Sequence, residues 1–236
     1  MITFNFEKYL LKLFKEITGL SDIFDKIGGK NNLYIVGGSI RDAYYNEIND
    51  YSVRDIDLII HEQNNELDSI LKDYNYEKNR FGGYKISLEK IEVDIWTYND
   101  NWAIKNKLVN ETSIIRNIAK GALLNIDSLV YDYYNKKIND ELFYKVLESK
   151  EIDFVTDNQD YINLNPNKEL NIFRILYSKQ KYELSLSQNI KKYIKEFTKE
   201  ELNYLDIIYK SQFKHYQDEK LKKNQIYDEI QKQIYK

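Results

Sequence analysis

Apolar residues at Phe6, Leu10, Leu13, Phe14 and Ile17 fall on one side of a helix, and Gly19 stands where that helix would stop. The spacing therefore predicts a first helix over residues 4–17. The pattern then tightens into short runs. Residues 33–36 read as a buried strand that ends at Gly37 and Gly38, and Ser39 followed by Asp42 resembles a capping box opening a helix through Tyr45. Residues 55–60 form a second strand, 81–88 a third folded around another Gly-Gly pair, and 91–96 a fourth. The two Gly-Gly pairs do not mark a repeat.

Beyond residue 113 the run "SIIRNIAKGALLNIDSLVYDYYNKKINDELFYKVLESKEIDFV" reads as an end-strand and turn followed by helix. From Asn165 and Pro166 onward the helical period dominates, as in Leu170, Phe173, Leu176 and Tyr177, then Ile190, Tyr193, Ile194 and Phe197. Pro166, the sole proline, sits at the start of that region, where a helix N-terminus favours it. The expected fold is α+β: a small mixed β-sheet head over residues 1–155, then an all-helical tail over residues 156–236.

Composition narrows the chemistry. With no cysteine and only two histidines, His61 and His215, the chain excludes disulfides, thiol nucleophiles and thiolate zinc sites, so a catalytic metal would be held mainly by oxygen. No apolar run approaches the roughly 18 residues that cross a bilayer, and the first twenty residues carry acids and lysines among their apolar positions, unlike a signal peptide. A cytoplasmic location is expected, with no membrane partner. The net charge of −3 neither supports nor excludes an RNA partner. The 22 tyrosines, alongside abundant Lys, Asn and Ile, match an A/T-rich coding bias better than a set of stacking platforms.

Two acids interrupt the second strand. Asp55 and Asp57 are two apart, so on a strand both side chains leave one face while Ile56 leaves the other. Two carboxylates held so close repel unless a cation lies between them, and hard oxygen donors favour Mg²⁺. Asp94, inside the apolar run "IEVDIW", is a third candidate ligand, with Glu92 on the same strand face as its alternative. Gly37, Gly38 and Ser39 supply a turn through which backbone N–H groups approach phosphate. Arg41 and Asp42 follow on the first helical turn and either serve that site or brace the helix; Arg54 is a further charge partner.

"VGGSIRD" followed by "RDIDLII" resembles the head domain of the tRNA nucleotidyltransferase and bacterial poly(A) polymerase family, within the polymerase-beta-like nucleotidyltransferase superfamily. The resemblance implies nucleotide-phosphate contacts from Gly37, Gly38, Ser39, Arg41 and Asp42, and Mg²⁺ bound by Asp55 and Asp57. It extends to "LLNIDSLVYD" and to "NIFRILYSKQKYELSLSQNIKKYI", similar to the family's neck helix, where Asn171 and Arg174 take the positions that read the incoming base. The implied activity is transfer of a nucleoside monophosphate from an NTP, ATP or CTP, to an acceptor hydroxyl, with a tRNA-like RNA 3′ end as acceptor.

The match has departures. Residues 120–123 read KGAL where the family carries paired arginines and an aspartate, Leu170 replaces a glutamate, and Asn171 replaces an aspartate. The family's tRNA-gripping body and tail domains have no room in these residues. The alternatives are the same chemistry on a small molecule or a protein, as in antibiotic-modifying or toxin-like transferases, and an inactive nucleotide-binding module. An amide at position 171 both accepts and donates, so base choice is expected to be broader than strict C and A addition.

Overall fold

The computed structural model describes residues 6–28, 32–49, 53–61, 67–79 and 82–234. The expected starts of the first helix at Phe4 and of the third strand at Phe81 lie outside the described residues. The chain forms two compact units: residues 1–122 with 126–143, and residues 123–125 with 144–236.

In the first unit the elements are α1 (Phe6–Glu16), α2 (Leu20–Gly28), β1 (Asn32–Val36), α3 (Gly38–Asn49), β2 (Asp55–His61), α4 (Leu67–Ile70), β3 (Tyr76–Lys78), β4 (Tyr84–Ser87), β5 (Glu92–Thr97), α5 (Trp102–Lys105), α6 (Ile114–Lys120), β6 (Val130–Asp132) and β7 (Lys137–Asn139). The seven strands form one mixed sheet in the order β3-β4-β5-β2-β1-β6-β7, so β2 is its central strand. β2 runs antiparallel to β1 and parallel to β5. The expected mixed sheet and helices are present. Residues 114–120 are helix rather than an end-strand, and the strands β6 and β7 follow it. Ile114, Ile115, Ile118 and Ala119 recur at helical spacing and pack on Tyr34, Ile59 and Val130, which fixes that segment as a helix lying on the sheet.

Both faces of the sheet are covered along half of β2. Ile56, Leu58 and Ile60 are fully buried on one face, and Ile59 is buried on the other beneath α6. Asp55 and Asp57 share the face of Ile59 but remain partly accessible at the strand's start. The acids thus sit where helical cover of the central strand gives out.

The second unit holds α8 (Gln159–Leu164), α9 (Lys168–Lys181), α10 (Gln188–Glu200), α11 (Tyr204–Tyr216) and α12 (Lys223–Ile234), with the short parallel pair β8 (Glu151–Ile152) and β9 (Ser185–Leu186). The helix α7 (Glu141–Ser149) carries the chain from one unit into the other. α9 packs on α11, and α12 on α9, α10 and α11. Ile172, Phe173, Ile175, Ile190, Ile194, Ile208, Ile226 and Ile230 are sealed from solvent, each contributing about 2 kcal/mol from apolar burial. No helix among the described residues is long and apolar enough to cross a membrane.

Candidate active site

The turn after β1 is built by Gly37. Its φ of +65° lies in the left-handed region, where a side chain is strained. Gly37 donates its N–H to the carbonyl of Leu129 at 2.8 Å, and its own carbonyl accepts the N–H of Arg41 at 3.2 Å, the first bond of α3. The helix therefore begins at Gly38, one residue before the expected Ser39. The capping box is not formed: Asp42 pairs with Arg41, and the Ser39 hydroxyl is buried with no hydrogen-bond partner. With Gly37 as cap, the N–H groups of Gly38, Ser39 and Ile40 have no acceptor within the helix and carry its positive dipole end.

Register places this turn beside the acids. Val36, the last residue of β1, is opposite Asp57 in the antiparallel pair. On its other side Asp57 is paired with Asp94 of β5, and Asp94 with Lys85 of β4, while Asp55 pairs with Glu92. Side chains at paired positions share a face, so Asp55, Asp57, Glu92, Asp94 and Lys85 occupy one patch.

Two cations already engage this patch. Arg54 donates Nε to Asp55 Oδ2 at 3.0 Å, and its Nη2 makes a second bond to the same oxygen. Lys85 Nζ donates to Glu92 Oε2 at 2.9 Å and lies 3.8 Å from Asp94 Oδ2. Burial raises the Asp94 carboxyl above the ordinary carboxylate range, and the charges of Asp55 and Glu92 add to that rise, outweighing the opposite pull of Lys85 and Arg54. Burial works against the Lys85 ammonium, but its hydrogen bond with Glu92 and the charges of Asp94, Glu92 and Asp55 prevail and raise its pKa. Four carboxylates against two cations leave a formal surplus of two negative charges.

Among the described residues no group of three or more His, Asp or Glu side chains is drawn together so as to hold a metal on protein atoms alone. Mg²⁺ in this patch would need phosphate oxygens and water beside one or two of the carboxylates. The donor set fits in chemistry: hard oxygens, a surplus of two negative charges, and the N–H groups of a helix N-terminus one strand away.

Arg41 faces inward. It donates Nε to Asp42 Oδ1 at 3.0 Å and pairs through Nη1 with Asp127 Oδ1, with all three side chains largely buried. An added Cβ on Gly38 would lie 3.2 Å from the Arg41 guanidinium. Asp127 and Lys85 were not anticipated as members of the site; an acid inside the apolar run "LLNIDSLV" and a lysine inside "YKIS" were the available signals.

Asn171 and Arg174 lie in α9, three apart and on one side of that helix. Asn171 is buried, and its amide donates to Asn165 Oδ1 at 2.8 Å and to the Pro166 carbonyl at 3.1 Å. Both acceptors precede α9, so the amide ties the helix to its own entry turn. An aspartate there would present oxygen to two oxygens. That gives a structural reason for an amide at this position.

The fold matches several solved structures. One is a CCA-adding enzyme in complex with CTP, with TM-score 0.65 and 16% identity over 94% of this chain and 54% of the other. Another is a tRNA nucleotidyltransferase complexed with a primer tRNA and an incoming ATP analog, with TM-score 0.60 and 17% identity over 89% of this chain and 59% of the other. The Thermotoga maritima CCA-adding enzyme complexed with tRNA gives TM-score 0.61 and 15% identity over 95% and 51%. The chain spans about half the length of these proteins, and at such identities the likeness establishes a shared fold. No curated protein matches the sequence. The sheet, the glycine turn and the strand acids all lie within residues 33–152, 120 of the 236, which match the poly(A) polymerase head domain, and the chain belongs to that family.

Proposed function

We propose that this protein is an Mg²⁺-dependent nucleotidyltransferase that moves a nucleoside monophosphate from ATP or CTP to the 3′-hydroxyl of an RNA, in the cytoplasm. The observation that carries this reading is the placement of Asp57 on the open face of the central strand, directly across from the residue that enters the glycine turn. Family membership and the CTP-, ATP- and tRNA-bound neighbours support it.

In this reading the N–H groups of Gly38, Ser39 and Ile40 bind the triphosphate at the positive end of α3. Asp55 and Asp57 would hold the metal together with phosphate oxygens, and Asp94, paired with Asp57 across the strands, is the further candidate donor. When bound, the metal neutralises phosphate charge and lowers the pKa of the attacking hydroxyl. The RNA 3′-oxygen attacks the α-phosphorus as the bond to the β-phosphate oxygen breaks, so one phosphodiester forms and pyrophosphate leaves. The hydroxyl proton passes to solvent or to a carboxylate of the acid patch. Arg41 and Asp42 set the first turn of α3 through their pairing and the contact with Asp127, and thereby orient the phosphate-binding N–H groups.

Gly38→Val brings its side chain against the Arg41 guanidinium and into the path of phosphate. The expected outcome is NTP affinity weakened by about tenfold or more, the loss of roughly one charge-assisted hydrogen bond. Equilibrium binding of each NTP measures it, and unchanged affinity would limit the glycines to forming a turn.

Base selection is assigned to Asn171 and Arg174. The family resemblance alone supports this role, and a range of NTPs wider than CTP and ATP would require the Asn171 amide to leave Asn165 and Pro166 and face the base; Asn171→Asp would then sharpen preference towards CTP and ATP. The same substitution sets a carboxylate against Asn165 Oδ1 and the Pro166 carbonyl, so its folded state should be weaker by about 2 kcal/mol. Rates with all four NTPs for wild type, Asn171→Asp and Arg174→Ala, each below its melting temperature, decide the point. Identical base preference in all three would remove the pair from nucleotide selection.

The acceptor is tested by incubating the protein with each α-labelled NTP, Mg²⁺ and total cell extract. Label in RNA supports the proposal. Label in protein or in small molecules would replace RNA with that acceptor.

A further inference from the structure

Lys85 stands where a metal-binding site would not be expected to keep a cation. Its strand position is directly opposite Asp94, and its ammonium lies between Glu92 and Asp94 at 2.9 and 3.8 Å, on the same face as Asp55 and Asp57. Arg54 does the same at the other corner by holding Asp55. The patch thus engages three of its four acids with its own cations. A lysine suits this position because its ammonium is a compact charge on a flexible stem and moves readily without disturbing the strand. Glu92 gives it somewhere to go: an ammonium displaced from Asp94 keeps its shorter bond to Glu92.

We propose that Lys85 is a tethered cation that occupies the acid patch in the nucleotide-free protein and yields Asp94 to the divalent metal when metal and nucleotide phosphates arrive together. This rests on the nucleotidyltransferase reading. The consequence is a metal site that is weak alone and strong with the triphosphate, whose negative charge replaces what Lys85 cancels. Lys85 acts as a positioning residue and touches no reacting atom.

Direct binding of Mn²⁺ to the nucleotide-free protein, followed by the loss of free-ion paramagnetic resonance signal, tests this without reference to turnover. Lys85→Met removes the positive charge 3.8 Å from Asp94 Oδ2 and should tighten Mn²⁺ binding by about tenfold or more. Lys85→Arg, which retains the charge, should bind as weakly as wild type. Thermal unfolding supplies the second readout. Lys85→Met leaves Glu92 and Asp94 facing each other, so its melting temperature should fall without metal and be restored by millimolar Mg²⁺, whereas wild type should respond little. If Lys85→Met is folded and binds Mn²⁺ no tighter than wild type, or melts lower with no recovery in Mg²⁺, the lysine is only a sheet-surface ion pair. Wild-type transfer activity, measured alongside, separates the two claims. Transfer with no effect of Lys85 on metal binding overturns this inference alone, whereas a wild-type protein that transfers nothing overturns the reading beneath it.

Discussion

Asp57→Asn is expected to abolish nucleotidyl transfer while the protein stays folded. The residue lies on the central strand between Val36, which enters the glycine turn, and Asp94, so it is the acid with both that turn and a second carboxylate as neighbours. A neutral amide keeps the shape of the side chain but cannot balance metal charge. The expected loss is about a thousandfold or more, some 4 kcal/mol of transition-state stabilisation. Asp55→Asn is expected to act in the same direction. The sign of the stability change is an independent check. The patch carries a surplus of negative charge, so removing one carboxylate relieves repulsion and should leave the melting temperature unchanged or raise it. Turnover and thermal melting of the same preparation distinguish a site residue from a fold residue; full activity in a folded Asp57→Asn protein would remove Asp57 from the chemistry.

The second large effect is on stability. Arg41 and Asp127 form an ion pair whose side chains are only 13% and 14% exposed, and they join α3 to the segment before β6. Removing Asp127 takes a carboxylate partner from this buried guanidinium and leaves it Asp42, which costs about 3 kcal/mol. Asp127→Ala should therefore lower the melting temperature by roughly 6–12 °C for a chain of this size. The double replacement Arg41→Met with Asp127→Leu should cost less than the two single changes added together, because the two facing charges leave together, while Asp42 loses its Arg41 partner equally in the single and the double arginine variant. Chemical denaturation of wild type, both single variants and the double variant measures the coupling. Strict additivity would show that the pair is not coupled.

Much of the central sheet was readable because its periods are local. The alternation of Asp55, Ile56, Asp57 and Leu58 gives a strand whose acids share a face, and the run ending at Gly37 gives the turn. The helix start was misread by one residue. The left-handed Gly37 lets α3 begin at Gly38, and no feature of the side chains at Ser39 and Asp42 reveals that backbone choice. From residue 113 the local pattern suggests strand, turn and then helix; the helix at 141–149 is present, whereas 114–120 is helix because its isoleucines pack on Ile59 and Val130, a tertiary contact that the local pattern does not encode. The partners that define the site's charge were invisible for another reason. Lys85 meets Asp94 through the β4–β5 register, and Arg41 meets Asp127 across 86 residues of sequence, neither of which a local pattern encodes. Asn171 illustrates the converse. Its place in a family motif was legible, but its hydrogen bonds to Asn165 and Pro166 emerge only once the turn before α9 is folded.

The central claim is that the protein transfers a nucleoside monophosphate to an RNA end. The most direct measurement supplies purified protein with Mg²⁺, RNA, and ATP or CTP labelled in parallel at the α- or the γ-phosphate. The account predicts that α-label enters RNA at its 3′ end, that γ-label is released as pyrophosphate, and that a chelator or Asp57→Asn stops both. RNA that gains no α-label under these conditions, with the protein folded and NTP present in excess, would contradict it.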